Sequence, residues 1–294
     1  MQIPYFPGCT LSTTATGFDK AAREAAALLG VELKELQNWN CCGATFPLLV
    51  DNLLDLAGPA RVLVSAREEG TRVVTACTTC YNVLKRTNLV LRTDAEKREK
   101  LNLFLESDYQ GDVEVLDLMQ FLRDEVGMEA IQKAVVRPLG GMRVAAYYGC
   151  MVLRPPAEVC YEDNPDAPRA LDDLLLALGA EPVDYPHRAE CCGAYLAVKS
   201  QEVTARMVHT ILDAAVRAGA EAVITNCPLC QFNLDKQQER LRLLEVGFRP
   251  VPVFYFAQLL AVALGRPAEA YDLHKHKVDP RPLLTRYELL GVKV

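Results

Sequence analysis

The sequence lacks several features that would assign it to a common class. No apolar run approaches the roughly 20 residues that a membrane-spanning helix needs. No basic stretch followed by an apolar one opens the chain, so no secretory signal is expected. The formal net charge is -6 and no Lys- and Arg-rich stripe is interleaved with aromatics, which argues against nucleic-acid binding. These absences predict a cytoplasmic protein without a membrane span.

Two cofactor signatures are also missing. The chain has neither a G-x-G-x-x-G fingerprint for a dinucleotide nor a compact cysteine run of the ferredoxin type. We therefore expect no flavin or nicotinamide on this chain. The composition is otherwise ordinary, with 50% hydrophobic and 24% charged residues among 294, which is enough for one large or two medium domains.

Cysteine, in contrast, is abundant, with 11 in the chain. In a reducing compartment such cysteines are more often metal ligands or redox groups than a disulfide framework. Their spacing is repeated in the two halves of the chain. Each half has one cysteine, a spacer of 31 or 40 residues, an adjacent CC pair, a spacer of 34 residues, and a C-x2-C motif. The first half uses Cys9, Cys41, Cys42, Cys77 and Cys80. The second half uses Cys150, Cys191, Cys192, Cys227 and Cys230, the last four each 150 positions after its counterpart.

The residues around the cysteines repeat as well. CCGATF matches CCGAYL, RVVTACTTC matches AVITNCPLC, and VEVLDLMQFL matches VPVFYFAQLL. These matches indicate a duplicated unit. We predict the domain boundaries as 1–140 for the first repeat, 141–265 for the second, and 266–294 for a C-terminal tail. The tail has no counterpart in the first half and little periodicity, so we expect it to be extended and to wrap the core or a partner.

Secondary-structure patterns alternate along each half. Short β-branched runs predict strands at 3–6, 72–75, 143–148 and 222–225. Helical patterns occupy 18–29, 48–67, 169–178 and 202–218, and a charged, solvated helix is expected near 92–104. The predicted fold class is α/β, with two pseudo-symmetric repeats that each contain a mostly parallel sheet flanked by helices. The cysteines would then lie at the carboxyl ends of strands.

Five thiols in each half leave several kinds of site open. Structural zinc takes four ligands and does not need adjacent cysteines. A thioredoxin-type dithiol would use only C-x2-C and leave three thiols unexplained, and an ordinary cubane cluster takes four thiolates. The adjacent pairs favour a larger or more open iron–sulfur core, in which neighbouring sulfurs reach different irons or one sulfur bridges two. From the residues alone we predict an unusual multi-iron cluster, and its exact type stays open.

The whole chain resembles a known family. The duplicated cysteine pattern, the openings YFPGCTLSTTA and YYGCMVLRP, and the C-terminal DPRPLL resemble the cysteine-rich CCG domain family, in particular the B subunit of heterodisulfide reductase. The resemblance implies two noncubane 4Fe–4S clusters at the interface between the repeats. It implies that the first is held by Cys9, Cys41, Cys42, Cys77 and Cys80. It implies that the second is held by Cys150, Cys191, Cys192, Cys227 and Cys230.

The resemblance also implies a function in anaerobic metabolism. A small-molecule disulfide would dock between the clusters and be cleaved to two thiols. Electrons would come from a ferredoxin-like C-type subunit and a flavin-containing A-type subunit, and some complexes of the family add hydrogenase or formate dehydrogenase modules. The alternative is an iron–sulfur electron-transfer subunit of a flavin- or quinone-linked dehydrogenase. A zinc-stabilised interaction protein is a third hypothesis.

A few residues outside the repeated cysteines are further candidates. Lys199 is a candidate contact for an anionic substrate, and His209 is a candidate proton donor, as is His187 beside the second CC pair. A surface or core packing role is favoured for the two histidines, and Lys199 could as well be a solvated helix residue. Cys160 lies in a nine-residue insertion of the second half and is predicted not to be a ligand. His274 and His276 are predicted to pack the tail.

Overall fold

Two four-stranded parallel sheets form the frame of the protein. The computed structural model describes residues 1–44 and 53–290. Every pairing between the strands in this part of the chain is parallel. In chain order the strands are β1 (Gln2–Tyr5), β2 (Glu32–Glu35), β3 (Arg72–Thr75), β4 (Glu114–Asp117), β5 (Arg143–Tyr147), β6 (Glu181–Pro182), β7 (Ala222–Thr225) and β8 (Val253–Tyr255).

The two sheets have the same topology. The first has the strand order β2-β1-β3-β4 and the second has β6-β5-β7-β8, so each strand of one sheet has a counterpart in the other. The predicted fold class is therefore confirmed. Strands β3 and β7 have the predicted bounds, while β1 and β5 differ from theirs by one residue. The domain boundaries at 140 and 265 stay a prediction.

Helices connect the strands and cover the sheets. Three of the four helices predicted from periodicity occur within two residues of the expected positions, at Thr16–Leu28, Ala170–Ala177 and Gln201–Arg217. In chain order the helices are α1 (Gly8–Thr13), α2 (Thr16–Leu28), α3 (Ala57–Glu69), α4 (Thr78–Thr93), α5 (Ala95–Leu105), α6 (Leu118–Phe121), α7 (Met128–Ala134), α8 (Pro156–Val159), α9 (Ala170–Ala177), α10 (Gln201–Arg217), α11 (Pro228–Leu244), α12 (Phe256–Ala263) and α13 (Arg281–Arg286). None of the helices in residues 1–44 and 53–290 is long and apolar enough to cross a membrane.

The remaining helix predictions have mixed outcomes. Part of the helix predicted at 48–67 lies outside the described residues, and the rest is a short 3-10 turn (Leu53–Leu56) followed by α3. The charged stretch forms α5, in which Leu101 alone is fully buried. That helix is solvated as expected, because nearly all of its side chains face water.

One hydrophobic core runs through both halves. Helix α2 packs against α12, and the ring of Phe18 stacks on Tyr255 with centroids 4.4 Å apart. The same Phe18 ring meets Phe256 edge to face at 5.7 Å. A smaller cluster in the second half lies beneath α10 and α11 and includes Val208 and Leu234. The core thus joins the N-terminal helix to the C-terminal part of the chain.

The C-terminal segment is folded, not extended. It forms two 3-10 turns (Ala268–Tyr271 and Leu273–Lys275) and α13. Tyr271 Oη donates to Glu24 at 2.8 Å, and Thr16 Oγ1 donates to Asp272 at 2.5 Å. The segment therefore wraps the core as predicted, but the expectation of an extended conformation is wrong. Short turns occur because Tyr271 and Leu273 are buried against the core.

We expect Phe18→Ala to lower the free energy of unfolding by about 3–5 kcal/mol, because it empties a fully buried ring site between the halves. The control is Phe104→Ala on α5, whose side chain is 61% exposed, and which should change stability by about 0.5 kcal/mol or less. Urea unfolding followed by circular dichroism measures both. Equal effects of the two substitutions would contradict the central position of Phe18 in the core.

Candidate metal centre

The ten repeated cysteines all follow the carboxyl ends of strands. Cys9 follows β1, the first CC pair follows β2, and the first C-x2-C follows β3. In the second half the same residues follow β5, β6 and β7. Because parallel strands end at the same edge of a sheet, each set of five thiols is brought to one edge. We call these the first and the second thiol set, with the members given above.

Two helices begin at the C-x2-C motifs. Cys77 is the N-cap of α4 and Cys227 is the N-cap of α11, and Cys80 and Cys230 lie in the first turns. The Cys77 and Cys227 backbone N–H groups donate to the hydroxyls of the threonines two residues earlier, both at 3.3 Å. A helix N-terminus favours the thiolate form, which is the form that binds metal.

The adjacent cysteines point to different partners. Cys41 Sγ lies 3.7 Å from Cys9 Sγ, and both residues are exposed. Cys42 Sγ lies 3.4 Å from Cys80 Sγ, and both are buried. The second set repeats the buried contact, with Cys192 Sγ 3.5 Å from its partner in the first turn of α11. In each set, the first cysteine of the CC pair is therefore the exposed, outer thiol, and the second is the buried, inner thiol.

The first cysteine of each CC pair has a lowered pKa. A hydrogen bond with the Cys42 thiol lowers the pKa of Cys41 to about 5, and one with Cys150 lowers the pKa of Cys191 to about 6. The Gly43 and Gly193 N–H groups donate to the same two sulfurs at 3.5 and 3.4 Å. These loops stabilise thiolates at their outer cysteines before any metal is considered.

Two glycines let the backbone approach the inner sulfurs. A Cβ on Gly8 would lie 2.9 Å from Cys80 Sγ, and one on Gly149 would lie 3.3 Å from Cys230 Sγ. Both glycines have positive φ, +71° and +66°. Each half thus keeps space free beside the same sulfur, as a bulky inorganic group would require.

The thiols suit a group with several metal atoms. Within residues 1–44 and 53–290, no three His, Cys, Asp or Glu side chains converge on a single ion position. Structural zinc needs four ligands around one point. A multi-iron cluster instead takes its thiolates at separate irons, which fits sulfurs that meet in pairs. The paired sulfurs are compatible with thiolates that bind separate irons.

The two thiol sets lie next to each other across the interface between the halves. Thr79, at the start of α4, has its Oγ1 3.8 Å from Cys227 Sγ of the other half. Tyr195, behind the second CC pair, donates to the Ala44 carbonyl behind the first at 3.4 Å. Burial raises the pKa of the Tyr195 phenol, and nearby cysteines of both sets, Cys227 first, raise it further.

A cavity of about 420 Å³ is lined by sequence neighbours of the thiol sets, but by none of the ten described thiols themselves. It lies between α1, the start of α11 and the C-terminal segment. Thr10, next to Cys9, lines it on one side, and Pro228, next to Cys227, lines it on the other. Lys275 and Lys277 add positive charge to the walls and Tyr255 adds an aromatic face.

The other predicted site residues lie as follows. Lys199 is exposed in the turn behind the second CC pair. His209 is half-buried on α10, with its ring centroid 5.9 Å from that of Phe248. His187 Nδ1 lies 2.7 Å from Glu190 Oε1. The roles of these residues in substrate binding or proton transfer stay predictions.

Two of the remaining candidates have packing contacts. Cys160 Sγ lies 3.5 Å from the Glu162 carbonyl, apart from the thiol pairs. His276 contacts the side-chain amides of Gln231 and Gln258 at 3.4 and 3.2 Å, and burial lowers its pKa to about 4. His276 thus packs the C-terminal segment, as expected.

The sequence analysis missed Thr79, Tyr195 and a buried carboxyl at Asp117. When the two repeats are aligned, Thr79 corresponds to a leucine, Tyr195 to a threonine and Asp117 to a tyrosine. A position-by-position comparison of the repeats for unmatched polar residues would have found them.

Comparison with known proteins identifies the family. Residues 3–85 and 144–235 match the cysteine-rich domain called CCG. The chain belongs to the CCG family. Both matched regions contain one complete thiol set. The CCG match and relatives over the whole chain confirm the resemblance to the heterodisulfide reductase B subunit.

Three relatives of this CCG protein span nearly its full length. The 8-methylmenaquinol:fumarate reductase membrane anchor subunit of Wolinella succinogenes is 34% identical over 96% of this chain and 99% of its own. A protein of Archaeoglobus profundus named as like the heterodisulfide reductase B subunit is 31% identical over 88% and 89%. The B subunit of a ferredoxin/F420H2-dependent CoB-CoM heterodisulfide reductase of Methanosarcina acetivorans is 28% identical over 98% of both chains.

A solved structure shares the fold. A hypothetical protein from Helicobacter pylori superposes with a TM-score of 0.75 at 12% identity. The match covers 94% of the present chain and 51% of the other, so this chain spans about half of that structure. At this identity the likeness concerns the fold alone.

We expect Cys42→Ala and Cys192→Ala each to lose one of two clusters, because each removes the inner thiol of its pair. Iron and labile sulfide per chain in anaerobically purified protein should fall by about half. Cys160→Ala is the matched control and should keep the full content. Full iron and sulfide in both CC variants would refute the assignment of these thiols as ligands.

We expect Gly8→Ala to impair the first thiol set selectively, because its methyl group would collide with Cys80 Sγ. Gly30→Ala is the control, since Gly30 also has a positive φ, +80°, but nothing lies within 4 Å of its added Cβ. Both substitutions cost backbone strain of about 1 kcal/mol, but only Gly8→Ala should lower the iron content. Equal iron loss in both would show that backbone strain, not the contact with sulfur, is responsible.

Proposed function

We propose that this protein is the disulfide-reducing component of a heterodisulfide reductase-like complex, with two noncubane 4Fe–4S clusters held by the two thiol sets. The observation that carries the proposal is the adjacency of the sets at the interface, with Thr79 of one half 3.8 Å from Cys227 of the other. Cleaving a disulfide takes two electrons, and two adjacent one-electron centres can each supply one.

When bound, the clusters would supply those electrons one at a time. The rest of the site consists of this chain's own groups. The N-termini of α4 and α11 and the Gly43 and Gly193 N–H groups stabilise negative charge on sulfur. Gly8 and Gly149 keep space beside the inner sulfurs. Burial of Cys42 and Cys192 excludes water from the inner face of each set.

The cavity between α1, the start of α11 and the C-terminal segment is the proposed approach for the substrate. Its apolar walls suit the carbon chain of a disulfide. An anionic end would have to compete for Lys275 with Asp272, which lies 2.8 Å from its Nζ. Asp235 accepts hydrogen bonds from the backbone N–H groups of Lys277 and Val278 at 2.6 and 3.0 Å. That carboxylate fixes the wall of the cavity, and Lys199 stays a second candidate for the anionic contact.

The electrons would arrive from partner subunits. Several relatives are named as subunits of reductase complexes, which supports a complex here as well. By family resemblance the partners are a ferredoxin-like C-type subunit and a flavin-containing A-type subunit. A cytoplasmic location also belongs to this proposal.

A second function is favoured by one comparison. The Wolinella relative is 34% identical and is named as part of a quinol:fumarate reductase. Quinol oxidation is also a two-electron reaction. In this alternative the chain passes electrons between a quinone-linked partner and a flavin dehydrogenase, and no disulfide is cleaved.

Reduction of candidate disulfides by a low-potential dye tests the first proposal. We expect thiol release by protein with both clusters, and a loss of at least about tenfold in Cys42→Ala and Cys192→Ala, because one electron donor is then missing. Cys160→Ala is the control and should be unaffected. Oxidation of a menaquinol analogue, with no thiol release from any disulfide, would establish the alternative. Zinc in place of iron would exclude both.

A further inference from the structure

A buried carboxyl lies at the interface, outside the two thiol sets. Asp117 ends β4 and has no exposed surface. Its Oδ1 accepts hydrogen bonds from the Met119 N–H at 2.9 Å and from Tyr161 Oη at 3.3 Å. Its Oδ2 is buried without a hydrogen-bond partner in the described part of the chain. The Gln120 N–H, the next donor of the α6 cap, also faces the carboxyl, but it forms no well-aligned hydrogen bond with Oδ2.

The Asn226 side chain belongs to the same polar cluster. Its amide neighbours the Asp117 carboxyl and favours the ionised form, and Asn226 directly precedes Cys227 of the second thiol set. Asn226 Nδ2 donates to Tyr161 Oη at 3.4 Å, while its Oδ1 is buried without a partner among the described residues. An ionised carboxylate is costly at such a buried place unless it is fully hydrogen-bonded, and a proton on Asp117 removes that cost.

These polar residues break the internal repeat. The counterpart of Asp117 is Tyr255, and the counterpart of Asn226 is an alanine. Tyr161 lies in the insertion that the first half lacks. At the equivalent place on the other side of the interface, Tyr255 stacks on Phe18. One side is thus filled by two rings, and the other by a group that can hold a proton.

The surroundings allow that group to titrate near neutrality. Burial raises the pKa of Asp117 to about 7, while its hydrogen bonds limit the rise. Lys85 Nζ is half-buried and donates to Tyr81 Oη at 2.7 Å, which extends the polar cluster toward solvent. The titratable and charged side chains around Asp117 are Tyr81 and Lys85 of α4, Arg123 of the π-helical turn Leu122–Val126, and Cys160, Tyr161 and Glu162 of the insertion.

We propose that the Asp117 carboxyl takes up one proton from solvent when the second thiol set gains one electron, and returns it to solvent when that electron leaves. Negative charge arriving at Cys227, next to Asn226, raises the proton affinity of the nearby carboxyl. The electron comes from a low-potential donor and the proton from water, so one electron and one proton enter together and leave together. The proton uptake rests on a cluster at the second thiol set, as the proposed function does, but it requires no disulfide substrate.

The test is the reduction potential of the second cluster as a function of pH. Anaerobically purified protein is titrated with dithionite and followed by electron paramagnetic resonance. If one proton accompanies one electron, the potential falls by about 59 mV per pH unit, the equivalent of a tenfold change for one electron. The Cys42→Ala variant, which should lack the first cluster, isolates the signal of the second.

Three variants assign the effect. Asp117→Asn keeps an oxygen that can accept from the Met119 N–H but cannot ionise, and it should abolish the slope. Tyr161→Phe removes a hydrogen bond that favours the ionised form, so the sloping region should move to higher pH. Asp172→Asn is the control: this buried carboxyl bonds Tyr148 and Arg188 instead, and its loss should leave the slope unchanged.

Infrared spectroscopy gives an independent readout if Asp117→Asn does not assemble its cluster. Reduction of the wild-type protein should produce a carboxylic-acid C=O band, which Tyr161→Phe should shift in frequency. A wild-type potential that is independent of pH, or an unchanged slope in Asp117→Asn, would overturn the inference. The Asp117-dependent slope in a protein that reduces no disulfide would support the inference while contradicting the proposed function.

Discussion

The structure depends on a constraint set by parallel strands, which place the residues that follow them at a common edge. Each half uses three consecutive strand ends in space to bring five thiols together. The helices that start at Cys77 and Cys227 direct their N-termini toward the same edge. Thiolate stability, glycine placement and burial all follow from that arrangement, because each acts on sulfurs that the sheet has already gathered.

Duplication explains why there are two thiol sets, but the differences between the copies suggest why they are not equivalent. Stacked rings join the halves at Phe18 and Tyr255, whereas Asp117, Tyr161 and Asn226 form a polar contact at the corresponding place. A change in nearby charge has little effect on packed apolar rings, but it changes the energy of polar and ionisable groups. Under the proposed function, two clusters with similar ligands would therefore differ in how strongly their reduction is coupled to protons.

Much of this fold and site could be predicted from the sequence. The repeated cysteine spacing showed which residues of the two halves correspond to each other. The β-branched runs located β3 and β7, because both strands are buried and form uninterrupted runs of this composition. All four edge strands, β2, β4, β6 and β8, escaped prediction. Most residues of β2 and β6 are exposed or half-buried, whereas β4 and β8 are largely buried and continue directly into the apolar helices α6 and α12, which hides the end of each strand. Asp117 was missed because its significance lies in contacts with residues that are distant in sequence. The turns at 268–275 were missed because their stability comes from burial against α2, not from their own periodicity.

The packing of α2 also connects the two ends of the chain. This N-terminal helix receives its apolar cover from α12 and its polar contacts from Tyr271 and Asp272. The first half therefore completes its packing only when residues 256–272 cover α2. A chain truncated before α12 would lose the cover of the helix that follows Cys9, so a deletion at one end of the sequence would disturb the surroundings of a thiol at the other end.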